Sequence, residues 1–168
     1  MNPLAWLEKS VPGFDLLSEQ EKETITNFSL LWSLYEGTIL NTEGNANAII
    51  RAVTSLKNRG KLRLEPFGAA IEYFVQRYYD GTSLTYAFHE LHLRSNDHRE
   101  LVERVVRHQS LDDAEILSAV LIVVFRLRNN FFHGVKWVYG IKGQLDNFRY
   151  ANHRNASNIK AVVGARTA

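Results

Sequence analysis

Apolar residues recur along this chain at three- and four-residue steps, the spacing of helices that bury one face. Ile25, Phe28, Leu31, Trp32, Tyr35 and Ile39 form the first long stripe. Ahead of it Ser18-Glu19-Gln20-Glu21 has the form of a capping box, in which the serine side chain accepts an amide three residues on and the glutamate reaches back. Pro3 to Ser10 reads as a short helix closed by Val11-Pro12-Gly13. Asn45 to Arg59 reads as another, with Ile49, Ile50, Val53 and Leu56 inward and Gly60 past its end. A further helix is expected from Pro66, tolerated in a first turn, through Phe67, Ile71, Phe74, Val75 and Tyr78 to the Asp80-Gly81 turn. Thr82 to Leu93 and Asp97 to His108 are predicted as two shorter helices separated by Arg94-Ser95-Asn96.

The most apolar element is Ile116 to Phe125. Its Val, Leu and Ile content has strand propensity. The acidic start at Ser110-Leu-Asp-Asp113, a length through Arg128 approaching twenty residues, and the lack of partner strands favour a helix buried on most sides. After a break near His133-Gly134, Trp137, Ile141, Leu145 and Phe148 again step at helical spacing. No repeat, linker or second domain is visible, and the expected architecture is all-α, a single domain over residues 1–168.

Composition narrows the class without naming a function. With 168 residues, 45% hydrophobic and 23% charged, the chain fits an ordinary globular domain and neither a disordered nor a collagen-like one. It has no cysteine, so disulfides, thiolate metal sites and cysteine nucleophiles are excluded. The start has neither a basic region nor a long apolar run, the ten-residue stretch Ile116 to Phe125 is far short of the ~20 residues a spanning helix needs, and a cytoplasmic location is expected. The net charge is only +2, but Asp146 is the last acidic residue, so residues 1–146 sum to −2 and the remainder to +4. A basic tail over 152–168 suits a polyanion, or simply solubility and a frayed terminus.

The candidate chemistry stands at the end of the buried helix, in Arg126-Leu127-Arg128-Asn129-Asn130-Phe131-Phe132-His133-Gly134. On an ideal helix Arg128 and His133 lie about 140° apart and about 7.5 Å along the axis, so they converge only if the helix ends or distorts between them. Asn129, Asn130 and Gly134 are residue types that allow this. A guanidinium and an imidazole brought together suit phosphate chemistry, since Arg neutralises and orients a phosphate while His moves a proton near neutral pH. The plainer reading is that Arg128 caps helix carbonyls and His133 fills a helix junction.

The string Arg128-Asn129-Asn130-Phe131-Phe132-His133-Gly134, with four residues between Arg and His, a polar residue after Arg and Gly after His, resembles the signature of the HEPN superfamily of small all-α proteins. Asp112 to Arg128 is similar to that family's penultimate core helix, Lys136 to Ala151 to its closing helix, and Phe28 to Glu36 to its opening one, so the resemblance covers residues 18–155. It implies a HEPN-like helical bundle with additional short helices, and metal-independent endoribonuclease activity of the kind found in toxins and antiviral defence. It further implies a homodimer pairing two motifs across its axis, RNA as substrate, no cofactor, and an antitoxin protein as a partner of toxin members. By position, Arg128 would hold the scissile phosphate, His133 would assist proton transfer at the ribose 2′-hydroxyl and Asn129 would orient the pair. Asn130, Lys136 and Trp137 would line the substrate groove, with Phe131 or Phe132 in the dimer interface. Val135 stands where the subgroup paired with a nucleotidyltransferase antitoxin has a tyrosine, which sets this chain apart from that subgroup. Other members have lost catalysis, and the alternative is a non-catalytic module of the same fold that binds nucleotide, RNA or a protein partner.

Other candidates carry less. Glu36 follows the first aromatic stripe and would reach His133 or Arg128 if the helices pack side by side, or else lies exposed beside Gly37. His89 and His92, three apart on a predicted helix, offer a metal reading with His98 and His108 nearby, although the spacing is one short of His-Glu-x-x-His. A partly exposed polar helix is the stronger reading there, and no metal is expected. Arg94, Arg99, Arg104 and Arg107 are interspersed with Glu100 and Glu103, as on a solvated face. Gly140-Ile-Lys-Gly143 is better explained by close helix packing than by a nucleic-acid clamp, and Asn155-Ala-Ser157 is a glycosylation acceptor only in a secreted chain.

Overall fold

The structure, a computed structural model, describes residues 2–132 and 144–152. They form the helices α1 (Pro3–Ser10), α2 (Glu19–Thr38), α3 (Ala46–Asn58), α4 (Gly68–Tyr78), α5 (Tyr86–His89), α6 (Arg99–Val106) and α7 (Asp113–Phe132), with a 3-10 turn at Glu65–Phe67 and, among the described residues, no strand. Residues 145–152 are also helical.

Local signals set most boundaries. Asn2 caps α1 by accepting from the Leu4 amide at 3.0 Å. Ser18 and Glu21 form the reciprocal capping box of α2, the Glu21 amide donating to Ser18 Oγ at 3.2 Å and the Ser18 amide to Glu21 Oε2 at 2.9 Å. Asn45 accepts from the Ala48 amide at 2.9 Å to start α3, and Gly60, at φ +63°, follows its end in the left-handed conformation that favours glycine.

The predicted helix over 82–93 is a correction. Only Tyr86–His89 is helical. Asp80 Oδ1 accepts the Thr82 and Ser83 amides at 2.8 and 2.7 Å, and Tyr79 pairs with Leu84 in an isolated antiparallel bridge, so the backbone turns before Thr85 caps one helical turn.

Helix α7 is the axis of the core. Every residue from Leu117 to Leu127 is buried, and α3, α6 and α4 pack around it. Each buried Leu, Ile or Val contributes about 1.5–3 kcal/mol relative to exposure, enough to override the strand propensity of the run once other helices surround it. Helix α2 joins through aromatic contacts, with the Trp32 and Phe125 rings 6.1 Å apart. Residues 145–152 fill the space between α2, α4 and α7. There Phe148 lies 5.0 Å from Phe28 and 5.5 Å from Phe131, and Tyr150 stacks on Tyr73 at 4.2 Å.

Charged residues of this interior are paired. Arg126 is 3% exposed, lies 3.3 Å from Asp97 and donates to the Leu91 carbonyl at 3.1 Å. Burial lowers its pKa, opposed by the Asp97 charge. Near α1, Lys22 bridges Glu8 at 2.6 Å and Glu19 at 2.8 Å, tying the first helix to the second. No helix among the described residues is long and apolar enough to cross a membrane.

Candidate functional site

The last turn of α2 and the last described turn of α7 stand beside the same cavity. Glu36 stands on the last turn of α2 and Arg128 on the last described turn of α7, and Arg128 Nη2 lies 3.3 Å from Glu36 Oε2. One turn before Glu36, the Trp32 indole N–H donates to the same oxygen at 2.5 Å. One carboxylate oxygen therefore receives both an indole and a guanidinium, so its position fixes that of the arginine.

The chain beyond α2 holds this carboxylate from the other side. Asn41 and Thr42 adopt φ of +50° and +66°, and the Thr42 amide donates to the Glu36 carbonyl at 3.0 Å. The turn brings Gly44 so close that a Cβ there would sit 2.4 Å from Glu36 Oε1. Only a residue without a side chain fits against the carboxylate in this arrangement.

Arg128 is held on several sides and still faces open space. Its Nη1 donates to Asn129 Oδ1 at 2.9 Å, and its guanidinium lies 5.8 Å from the Trp32 ring centroid and 5.1 Å from that of Phe132. Its Nε is buried and has no hydrogen-bond partner among the described residues. The cavity is about 420 Å³, with Ser29, Trp32, Ser33, Glu36, Arg128 and Phe132 among its lining. The side chains of Arg128 and Glu36 are 28% and 22% exposed, which leaves a solvent-reachable cation whose direction is set by the fold.

Comparison with family models, curated proteins and solved structures found no match.

The two asparagines after Arg128 divide. Asn129 is buried and holds the guanidinium. Asn130 turns to the opposite side, where its amide nitrogen donates to the Glu90 and Leu91 carbonyls at 3.1 and 3.3 Å, so it braces the 90–97 loop and does not line the cavity. The adjacent phenylalanines divide in the same way: Phe131 is buried, while Phe132 is 52% exposed at the cavity edge. Helix α7 runs through Asn129 and Asn130 to Phe132, and the expected break near Gly134 lies outside the described residues, as do His133, Lys136 and Trp137.

The other sequence candidates do not assemble a second centre. His92 lies beyond the single turn of α5, at φ +50°, so it does not share a helix face with His89 as expected. Among the described residues no group of three His, Asp or Glu is placed to hold a metal ion. His98 Nε2 is hydrogen-bonded with Asn47 Oδ1 at 2.7 Å. Arg99 and Arg104 are bridged to Glu103 and Glu115, and Arg107 stacks over Tyr79, in keeping with a solvated face.

Two members of the site were not read as such from the sequence. Trp32 belongs to the core stripe by its spacing, and it is 1% exposed, but its indole N–H also orients Glu36; the four-residue spacing between them is the signal. Gly44 had no sequence signal, because its role depends on a tertiary approach.

Proposed function

We propose that this chain is a metal-independent endoribonuclease with a HEPN-like bundle, acting as a homodimer on RNA, in the manner of a toxin or an antiviral-defence nuclease. The observation that carries the reading is the Arg128 guanidinium, fixed by Glu36 and Asn129 and opening on a solvent-reachable cavity at the last described turn of the buried helix. His133 follows Phe132 directly in the chain. In the proposed reaction Arg128 neutralises the scissile phosphate and His133 takes the proton from the ribose 2′-hydroxyl. The 2′-oxygen then bonds to phosphorus as the bond to the 5′-oxygen breaks, leaving a 2′,3′-cyclic phosphate and a 5′-hydroxyl once that oxygen is protonated. In-line displacement needs protons managed at both the attacking and the leaving oxygen, and a second copy of the motif across a two-fold axis supplies the second group. Lys136 and Trp137 complete the groove in this reading, and an antitoxin protein is the natural partner of a toxin.

The Arg128–Glu36 contact favours one further reading. A carboxylate already engages the guanidinium, so an incoming phosphate must displace it or tolerate a neighbouring like charge, which suits a non-catalytic module that binds nucleotide, RNA or a protein. Incubating RNA with the protein in the presence of EDTA separates the two. The nuclease predicts cleavage with chelator present that is abolished by His133→Ala and Arg128→Ala in folded protein; activity surviving either substitution, or lost to chelation, refutes it.

A further inference from the structure

The chain segment between Glu43 and Glu65 holds Arg51, Lys57, Arg59, Lys61 and Arg63 and not one acidic residue, while the rest of the protein carries 15 Lys and Arg against 18 Asp and Glu. This acid-free stretch covers α3 and the loop after it, where all five basic side chains are exposed.

These cations are not equivalent. Arg51 is bridged to Glu43 and Lys57 to Asp112. Arg59, Lys61 and Arg63 have no carboxylate within 4.0 Å among the described residues. Arg59 Nε donates to the Ser55 carbonyl at 3.1 Å and Arg63 Nη1 to the Gly60 and Leu62 carbonyls at 3.1 and 2.7 Å, which aims the guanidiniums while leaving their charge unneutralised.

Through Arg59 the patch borders a cavity that neighbours the Arg128 cavity. Arg51, Ser55 and Arg59, four residues apart on one face of α3, line a second cavity of about 340 Å³ whose other wall includes Thr38 and Asn41. The Arg128 cavity is walled by Gly37 and Thr42. Neighbouring residues of one short turn thus face the two cavities, and a strand bound along the surface needs to cross only that turn to pass from one to the other.

We propose that Arg59, Lys61 and Arg63 form a sequence-independent binding surface for the phosphate backbone of a single RNA strand, the same strand whose phosphate reaches Arg128. The proposal rests on the ribonuclease reading for its ligand. Three uncompensated cations engaging phosphates release counterions, and a single strand loses about 0.7 in the slope of log K against log salt for each contact.

The test uses the full-length protein and a fluorescent 20-nucleotide 2′-O-methyl RNA, which lacks the nucleophile and cannot be cleaved, titrated by anisotropy across a salt series. The triple variant Arg59→Gln, Lys61→Gln, Arg63→Gln is expected to bind at least about tenfold more weakly at low salt, with a salt slope shallower by about 2. The charge-preserving Arg59→Lys, Arg63→Lys variant, which gives up the same carbonyl contacts, is expected to retain both, so loss of fold is separated from loss of charge. Unchanged affinity and slope in the triple variant overturns the proposal, as does equal loss in the charge-preserving one. Tighter, equally salt-dependent binding of polyglutamate would overturn it in favour of an acidic protein partner. Binding that follows these expectations in a protein that never cleaves unmodified RNA upholds the surface while the nuclease reading falls; cleavage with unaltered KM in the triple variant does the reverse.

Discussion

Replacing Gly44 with alanine isolates the contact that fixes Glu36 and, through it, Arg128. The added methyl would stand 2.4 Å from Oε1 and 2.8 Å from Cδ of Glu36, where ordinary carbon contacts lie near 3.5–4.0 Å, so one of the two must move by about 1 Å. Gly44 is not in a left-handed conformation, so alanine brings no backbone strain and by itself favours folding by about 0.4–1 kcal/mol through the unfolded chain. The carboxylate, at the end of a flexible side chain, is what yields. It then loses the Trp32 indole and the Arg128 guanidinium, charge-assisted bonds worth about 1.5–3 kcal/mol each when dry and less at this partly exposed position. The net cost should be about 1–2 kcal/mol. Urea unfolding of Gly44→Ala, Glu36→Ala and the double variant measures it as a cycle. With the carboxylate gone the three atoms nearest the methyl are removed, so Gly44→Ala in the Glu36→Ala background should cost nothing or stabilise slightly. A cost of equal size in both backgrounds would show that Gly44 does not act through Glu36.

Two further outcomes follow from the interior. Asp97→Ala leaves the Arg126 guanidinium buried without its counter-charge and should destabilise by about 3–5 kcal/mol in denaturant unfolding, whereas adding Arg126→Met should recover much of the loss; a cost below about 1 kcal/mol would mean that the pair is not buried as described. Tyr35 and Tyr78 are fully buried and desolvation raises the pKa of both, so below about pH 10 they are protonated whether folded or not, and above it only the unfolded chain ionises freely. Stability should fall by about tenfold in the folding equilibrium per pH unit for each tyrosine beyond that point, and Tyr35→Phe should lessen the alkaline slope; an unchanged slope would contradict the assignment.

The parts of the fold that were legible in the sequence are those set by neighbours in the chain. The Ser18 box and the glycine after α3 work within four residues and stand where the pattern put them, and Asn45, read as the first helical residue, is the cap just before it. The 82–93 segment departs from its pattern because Asp80 competes for the Thr82 and Ser83 amides, an interaction that periodicity cannot register. At the site, Arg128 and Glu36 were visible as residue types in suggestive positions. Which way Asn129 and Asn130 would turn was not, since that depends on which neighbour lies on each side of α7, the cavity on one and the 90–97 loop on the other. Gly44 was invisible for the same reason at longer range.

That division of the helix explains how one turn of α7 serves both core and surface. Arg126 and Arg128 are two positions apart, about 200° around the axis, so they cannot share an environment. Arg126 points into the protein, where Asp97, the Leu91 carbonyl and Asn130 engage it, and its charge is consumed in fastening the 91–97 loop to the core. Arg128 points toward α2, where its carboxylate partner is itself partly exposed and the cavity is open beside it. A buried ion pair has no charge to offer a ligand, because exposing it would require unfolding the loop it holds. A partly solvated pair can exchange its carboxylate for a phosphate at the cost of one exposed contact, which is worth little. The same residue type, two steps apart, is therefore fixed in one case and available in the other, and it is the available one on which the proposed chemistry depends.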